Sequence, residues 1–140
     1  GTLIGLTGGT TRAQVVRAVL EGVAHRGADL LEAAERDTGT DITTLRVDGG
    51  MSANATFVQA LADAIGRPVE VSPVLEATTL GAAFLAGLAT GVWQSEDELA
   101  SLWSPRATID PTGRPSRRER WLEARERSLG AVPELSGLEF

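Results

Sequence analysis

The chain has 140 residues, a formal net charge of −6 and no cysteine, and it is long enough to bury a core as one domain. The lack of cysteine excludes a disulfide framework, thiol catalysis and thiolate metal sites, and it fits a cytoplasmic protein. The acidic balance argues against nucleic acid as the main partner, and the longest apolar stretch, 80–93, is too short to span a membrane. All 13 basic residues are arginines, which excludes lysine-dependent phosphate loops and Schiff-base chemistry.

The first part of the chain is predicted to be a short strand over 2–6, a glycine loop and a long helix. This helix should begin near Thr10 or Thr11 and end at about Thr38-Gly39, where glycine is a common stop signal. Apolar residues three and four apart predict one buried stripe along it, formed by Val15, Val16, Val19, Leu20, Val23, Leu30, Leu31 and Ala34. The single histidine, His25, is expected to be structural or solvated, because no acid or nucleophile lies near it at a spacing that supports acid–base chemistry.

In the rest of the chain, predicted strands alternate with predicted helices. The strands are expected at 42–47 and 69–71, and the helices at 53–65, 78–89, 95–103 and 117–128, with a proline-rich surface loop over 104–116. This alternation predicts βαβ units and a parallel sheet, which is an α/β fold. The arginines of the last helix are interleaved with glutamates, which predicts a salt-bridged exposed face. The domain is expected to cover 1–132, followed by a tail over 133–140.

The segment Val47–Asn54 combines a strand end, a paired-glycine turn and the start of a helix. Gly49 and Gly50 can adopt positive φ and allow a ligand to lie against the main chain. Either Ser52 or Asn54 can cap the helix, whose first amides carry a partial positive charge. The local pattern fits a nucleotide-binding turn and equally a tight turn that holds no ligand.

Asp48 is the carboxylate at the end of the first of these strands. The favoured interpretation is that it holds the glycine turn by accepting backbone N–H bonds, and the alternative is that it binds a metal-bound water. Other paired carboxylates, at 32 and 35 and at 96–98, are expected to be solvated or to complement a helix dipole. Because no His, Asp and Glu cluster has the spacing of metal ligands, no metal site is predicted in this chain.

Four segments together resemble the C-terminal domain of the FGGY family of carbohydrate kinases. They are Gly1–Leu6 with Gln14–Glu21, Leu45–Gly50 with Ser52–Asn54, Glu76–Ala89 with Gly91–Trp93, and Trp121 with Arg127-Ser128. The second segment is similar to the adenosine motif of the actin-like ATPase superfamily. The resemblance implies a ribonuclease H-like, actin-type ATPase domain whose opening strands precede Gly1. Because Gly1 is not a start methionine, the chain is expected to be processed or cut from a longer one.

The same resemblance implies a nucleotide site and a cofactor set. Gly50 and Asn54 match the family positions that contact ATP or ADP, and Gly49 and Asp48 are further candidates beside them. No catalytic residue is expected in this chain, because the family's catalytic Asp and polyol-binding residues precede the matched region. The implied cofactors are ATP and Mg²⁺, the latter bound mainly by an N-terminal kinase domain that is the implied partner. The fragment alone is expected to be inactive, and the full-length protein to form a homo-oligomer.

The substrate implied by the resemblance is a small polyol. The sequence Asp48-Gly49-Gly50, together with Trp93 and Arg127-Ser128, favours phosphorylation of glycerol to glycerol 3-phosphate over that of a pentulose such as xylulose. Ala55-Thr56 and a short loop before the last helix differ from the residues usual in family members that phosphorylate glycerol. A non-catalytic actin-like regulatory or protein-interaction module is the alternative function, since the helix predicted at 78–89 has a face of glycine and alanine residues that is compatible with it. A dinucleotide-binding dehydrogenase is disfavoured, because no Gly-x-Gly-x-x-Gly turn follows a first strand.

Overall fold

The computed structural model describes residues 1–114 and 117–131. Its strands are β1 (Leu45–Val47), β2 (Val69–Val71) and β3 (Ala107–Ile109). Its helices are α1 (Arg12–Thr38), α2 (Ala55–Ile65), α3 (Ala77–Thr90), α4 (Glu96–Ser101) and α5 (Arg118–Ala131), with one 3-10 turn over Gly50–Ala53. Within this part of the chain, β2 pairs in parallel with β1 and antiparallel with β3. The predicted α/β organisation with a parallel strand pair is confirmed, and α2 forms the crossover.

The core lies where the sheet meets α1 and α2. Its buried members are Ala24, Val58, Leu61, Ala62, Val69 and Val71. The two helices can approach closely because α1 has glycine at position 27, where a Cβ would lie only 2.9 Å from Leu61 Cδ1. The small residues of α1 therefore serve helix packing, while branched residues of α2 and β2 fill the space beneath them.

Local signals place the ends of α1 as predicted. Gln14 Oε1 accepts a hydrogen bond from the Thr11 N–H at 2.8 Å, and Thr11 Oγ1 accepts one from the Gln14 N–H at 3.3 Å. This reciprocal pair is a capping box, which satisfies amides that the first turn leaves without partners. At the other end Gly39 adopts a left-handed φ of 66° and donates to the carbonyl of Glu35.

The predicted buried stripe of α1 is wrong at four of its eight residues. Val16, Val19 and Val23 are 52%, 54% and 46% exposed, and Leu30 is 64% exposed. The buried residues of the helix are Ala24, Ala28, Asp29 and Leu31. The spacing identified an apolar face correctly, but α2 and α5 cover other sides of the helix. Nothing in the described part of the chain covers the valine face.

Two predicted loops and strands also differ from the structure. Residues 2–6 form no strand, because no described strand lies beside them to complete a hydrogen-bonded ladder. The expected surface loop over 104–116 contains β3, whose Thr108 and Ile109 are β-branched residues that favour strands. The first predicted strand, 42–47, is confined to its last three residues. The tail expected over 133–140 lies outside the described residues.

Helix α3 has the bounds that its sequence predicts to within one residue, but most of its apolar surface is uncovered. Gly87 is its one buried residue, and Leu85 is 69% exposed. A helix that is apolar on all sides is normally buried, so α3 is a surface that a further element or partner is expected to cover. In the described part of the chain, no helix combines the length and the apolar character needed to cross a bilayer.

Candidate functional site

The glycine turn after β1 is held by backbone contacts from two sides. Gly49 has φ 79° and ψ 177°, a conformation that residues with a side chain rarely adopt. Its N–H donates to the carbonyl of Leu75 at 3.2 Å. Its own carbonyl accepts hydrogen bonds from the Oγ and the N–H of Ser52, at 2.7 and 3.1 Å. Ser52 is buried, so the turn is fixed before any ligand arrives.

The main chain at Gly50 is open to approach from outside. Gly50 begins the 3-10 turn that leads to α2. A Cβ built on Gly50 would meet no described atom within 4 Å. The space beside this residue is therefore not used by the fold, and a ligand could lie directly against the backbone.

Asn54 caps α2, and its side-chain amide keeps one free group. Its Oδ1 accepts a hydrogen bond from the Phe57 N–H at 3.1 Å, while Ser52, the other predicted cap, bonds to Gly49 instead. The helix predicted over 53–65 consequently begins at Ala55. The Asn54 Nδ2 donates to no other described group, and the residue is exposed. Asn54 thus presents a hydrogen-bond donor beside the positive end of α2.

Asp48 does not hold the turn, contrary to the favoured prediction. Its side chain is exposed and makes no hydrogen bond or ion pair with the described residues. The reason is that the Gly49 N–H is already taken by the carbonyl of Leu75. Among residues 1–114 and 117–131, no group of three or more His, Asp or Glu side chains is placed to hold a metal ion.

Two cavities formed by described residues lie beside α1, and neither is lined by the glycine turn. A cleft of about 970 Å³ lies between α1, α2 and the segment that leads into α5. A second cavity of about 560 Å³ lies between α1 and α5. The predicted site residues Gly49, Gly50, Asn54 and Asp48 line neither of them, so the candidate nucleotide site is an exposed turn and one wall of a site.

A buried carboxylate that sequence reasoning missed joins α1 to α5. Asp29 is 9% exposed and accepts hydrogen bonds from Arg118 and from Trp121 Nε1, the latter at 3.2 Å. Arg26 and Arg125 each lie 3.3 Å from its Oδ2. Burial by itself would raise the pKa of Asp29, but the hydrogen bonds from Arg118 and Trp121 and the charge of Arg118 bring it below its ordinary value. An acid between alanine and leucine in mid-helix, with an arginine-rich helix later in the chain, was the available signal.

This junction corrects the predicted character of α5. Arg127 and Glu123 form the expected exposed pair at 2.6 Å. Arg118, by contrast, has a side chain only 15% exposed and bonds across to α1. The arginines of α5 therefore have two different roles, and the expectation of one exposed face is wrong for Arg118 and Arg125, which both contact Asp29.

His25 packs against the same junction. Its ring stacks on Trp121 with centroids 5.6 Å apart and an interplanar angle of 16°. Its Nδ1 is buried and has no hydrogen-bond partner among the described residues. Burial, and next the positive charge of Arg118, lower the pKa of His25 below its ordinary value. These contacts agree with the predicted structural role.

Comparison with known proteins identifies the relatives of this fold. The FGGY family of carbohydrate kinases, C-terminal domain, matches residues 1–90. Glycerol kinase 2 of Thermotoga maritima is 48% identical over 134 residues, which are 93% of this chain and 27% of that protein. The glycerol kinase of Dechloromonas aromatica is 47% identical over 133 residues, which are 92% of this chain and 26% of that protein.

Solved structures agree with these relatives. The crystal structure of Plasmodium falciparum glycerol kinase with ADP matches with a TM-score of 0.72 and 33% identity, over 99% of this chain and 27% of that one. Xylulose kinase of Rhodospirillum rubrum matches with a TM-score of 0.74 and 23% identity, over 96% of this chain and 28% of that one, a likeness of fold alone. The chain thus spans little more than a quarter of its relatives' length, and its fold is part of an actin-like ATPase domain. The chain belongs to the FGGY family of carbohydrate kinases, in the family's C-terminal domain.

Proposed function

We propose that this chain is the nucleotide-side C-terminal domain of an ATP-dependent glycerol kinase, with the domain over 1–132 and a tail over 133–140. The observation that carries the proposal is the preformed glycine turn, with open main chain at Gly50, in a chain that is 48% identical to a glycerol kinase. The ADP named in the Plasmodium falciparum structure supports an adenine nucleotide as the ligand. The complete enzyme is proposed to act in the cytoplasm and to form a homo-oligomer.

The turn would bind the nucleotide through its backbone and one side chain. ATP would lie against the open main chain of Gly49 and Gly50, where no described side chain intervenes. The free Nδ2 of Asn54 would donate a hydrogen bond on the adenine side. The first amides of α2 would add the favourable end of a helix dipole for a bound anion.

The reaction itself would use groups outside this chain. A carboxylate from the N-terminal part would remove the proton from a glycerol hydroxyl, which would attack the γ-phosphate in line. Mg²⁺ bound to the nucleotide's phosphates would neutralise developing charge, and the exposed, unpaired Asp48 is the residue of this turn that fits a metal-bound water. This chain's part is to orient the nucleotide and to exclude water when the two domains close.

The uncovered apolar surfaces support the N-terminal part of the kinase as the partner. The valine face of α1 and the surface of α3 are both largely exposed, and β1 is an edge strand with one free side. Strands added at β1 would complete the sheet, and a further element of the N-terminal part would cover the valine face. The contacts of α3 would then be made with the other domain, for which its glycine and alanine face is suited.

The experiment that tests this function is a chimera. This chain would replace the matching 134 residues of the Thermotoga maritima relative, and ATP consumption would be measured with glycerol and with xylulose. We expect glycerol-dependent turnover by the chimera and none by the 140-residue chain alone. Turnover by the chain alone would overturn the division of labour, and preference for xylulose would overturn the substrate. A folded chimera that binds no ATP would favour the protein-interaction module.

A further inference from the structure

The larger cleft, of about 970 Å³, is bordered by three elements and reaches Ala55 and Thr56, the residues of α2 that directly follow the glycine turn and its cap. One wall is a ridge of α1 that carries Arg17, Glu21 and His25, and a second wall is the neighbouring face of α2. The third is formed by Thr112 and Arg114 and, at the start of α5, by Arg117, Glu119 and Arg120. None of the four residues proposed to hold the nucleotide lines it.

Arginines without partners are concentrated at this cleft. Within the described part of the chain, seven arginines form ion pairs with carboxylates, and Arg36 and Arg106 donate to backbone carbonyls. The side chains of the other four, Arg12, Arg114, Arg117 and Arg120, make no hydrogen bond or ion pair there. Three of these four line the cleft. In a chain with 19 acidic and 13 basic residues, most arginines find a carboxylate, so this grouping calls for an explanation.

The carboxylates of the cleft are largely engaged elsewhere. Glu21 pairs with Arg17 at 2.6 Å. Asp63 accepts hydrogen bonds from the N–H and the Oγ1 of Thr112, at 2.6 and 3.0 Å. Glu119 is the remaining acid of the lining. Asp63 keeps its charge because its donors are neutral groups, so the lining has four arginines against three carboxylates and a small excess of positive charge in an acidic chain.

We propose that this cleft binds a small phosphorylated anion, at a site distinct from the glycine turn. The planar guanidinium presents paired N–H donors that match the oxygens of a phosphate group. An anion seated between Arg114, Arg117 and Arg120 would supply the counter-charge that the chain itself does not provide. It would also bridge the α1–α2 pair to the start of α5.

The test is an amide chemical-shift titration of the 140-residue chain with inorganic pyrophosphate. We expect saturable shifts at the cleft residues of α1 and α2, at Thr112 and Arg114, and at the start of α5. Arg117→Gln/Arg120→Gln is expected to weaken binding at least about tenfold, because each change removes charge-assisted hydrogen bonds. Arg12→Gln/Arg127→Gln removes the same charge at exposed positions outside the cleft lining and is expected to change the affinity less than about twofold.

Each other outcome would overturn the proposal. Equal weakening in the two double variants would mean that pyrophosphate responds only to net charge. Equally tight binding of succinate at the cleft would reject the phosphate assignment. Shifts confined to 48–54 would mean that pyrophosphate occupies the nucleotide turn, which would leave the proposed function intact and remove the cleft site. A well-dispersed spectrum with no shifts would reject binding altogether.

Discussion

The change Asp29→Asn should loosen α5 from α1. Asp29 accepts hydrogen bonds from Arg118 and Trp121, and Arg26 and Arg125 complete a cationic shell around it. Removing one partner of a buried ion pair typically costs about 3–5 kcal/mol. The cost here should be smaller, because Arg118 also bonds to Glu32 at 2.8 Å and the amide oxygen of asparagine still accepts one bond. We therefore expect a loss of about 2–3 kcal/mol in the free energy of unfolding.

The assay is urea denaturation, with hydrogen exchange of the α5 amides as a local readout. The matched control is Glu32→Gln, which removes a second carboxylate from the same Arg118. The Glu32 side chain is 55% exposed, against 7% for that of Asp29, so the control should cost less than about 1 kcal/mol. If both variants lose the same stability, or if α5 exchange is unchanged in Asp29→Asn, burial of the charge is not what holds the helix.

The dependence of stability on pH in the acidic range is a second test of the role of Asp29. Because the pKa of this carboxyl in the folded chain lies below its ordinary value of 3.8, its ionised form stabilises the fold at pH values above 3.8. That contribution is lost as the pH falls through the lowered pKa. The difference in stability between the wild-type chain and Asp29→Asn should therefore shrink in strong acid. A difference that stays constant down to about pH 2 would contradict the assigned pKa direction.

Further changes test the turn, α3 and the histidine. Asn54→Asp keeps the α2 cap but removes the Nδ2 donor, so the Kd of the chimera for ATP should rise about tenfold, and an unchanged Kd would reject that contact. Gly87→Ala should cost about 1–3 kcal/mol in thermal or urea unfolding, because its Cβ would lie 2.6 Å from Trp93 Nε1. Gly81→Ala, with open space around it, should gain up to about 1 kcal/mol, and equal stabilities of the two would contradict this. The lowered pKa of His25 predicts that stability falls as the pH drops below 6.5, and His25→Asn should flatten that slope of unfolding midpoint against pH.

Local chemistry made the element boundaries predictable from the sequence. Thr11 with Gln14 begins α1 and Gly39 ends it, as Ser95 begins α4 and Gly91 ends α3. Each of these signals acts within one turn of chain, so no knowledge of tertiary contacts is needed to see it. The glycine turn could be predicted for the same reason, because its positive-φ conformation favours glycine at position 49 regardless of tertiary contacts.

Predictions that depend on distant partners failed or stayed incomplete. The valines of α1 have the spacing of a buried face, but burial depends on which element covers them. Strand β3 forms because β2 offers a hydrogen-bonding edge, and its own sequence, Ala107–Ile109, is short and follows a proline-containing loop. In the sequence, Asp29 has the pattern of an exposed helical acid. Its burial depends on α5, which lies some 90 residues later in the chain and packs against it. The Asp48 interpretation failed because a carbonyl from another loop had already taken the turn's N–H.

The hydrogen bond between the Gly49 N–H and the Leu75 carbonyl links two parts of the molecule that the sequence separates. Leu75 lies just ahead of the first residue of α3, so the glycine turn and the start of that helix share one anchor point. A displacement of α3 would therefore be transmitted to the turn through this hydrogen bond. A partner that binds the exposed face of α3 would therefore affect the backbone that we propose holds the nucleotide. ATP bound at the turn would in return restrict movement of the helix.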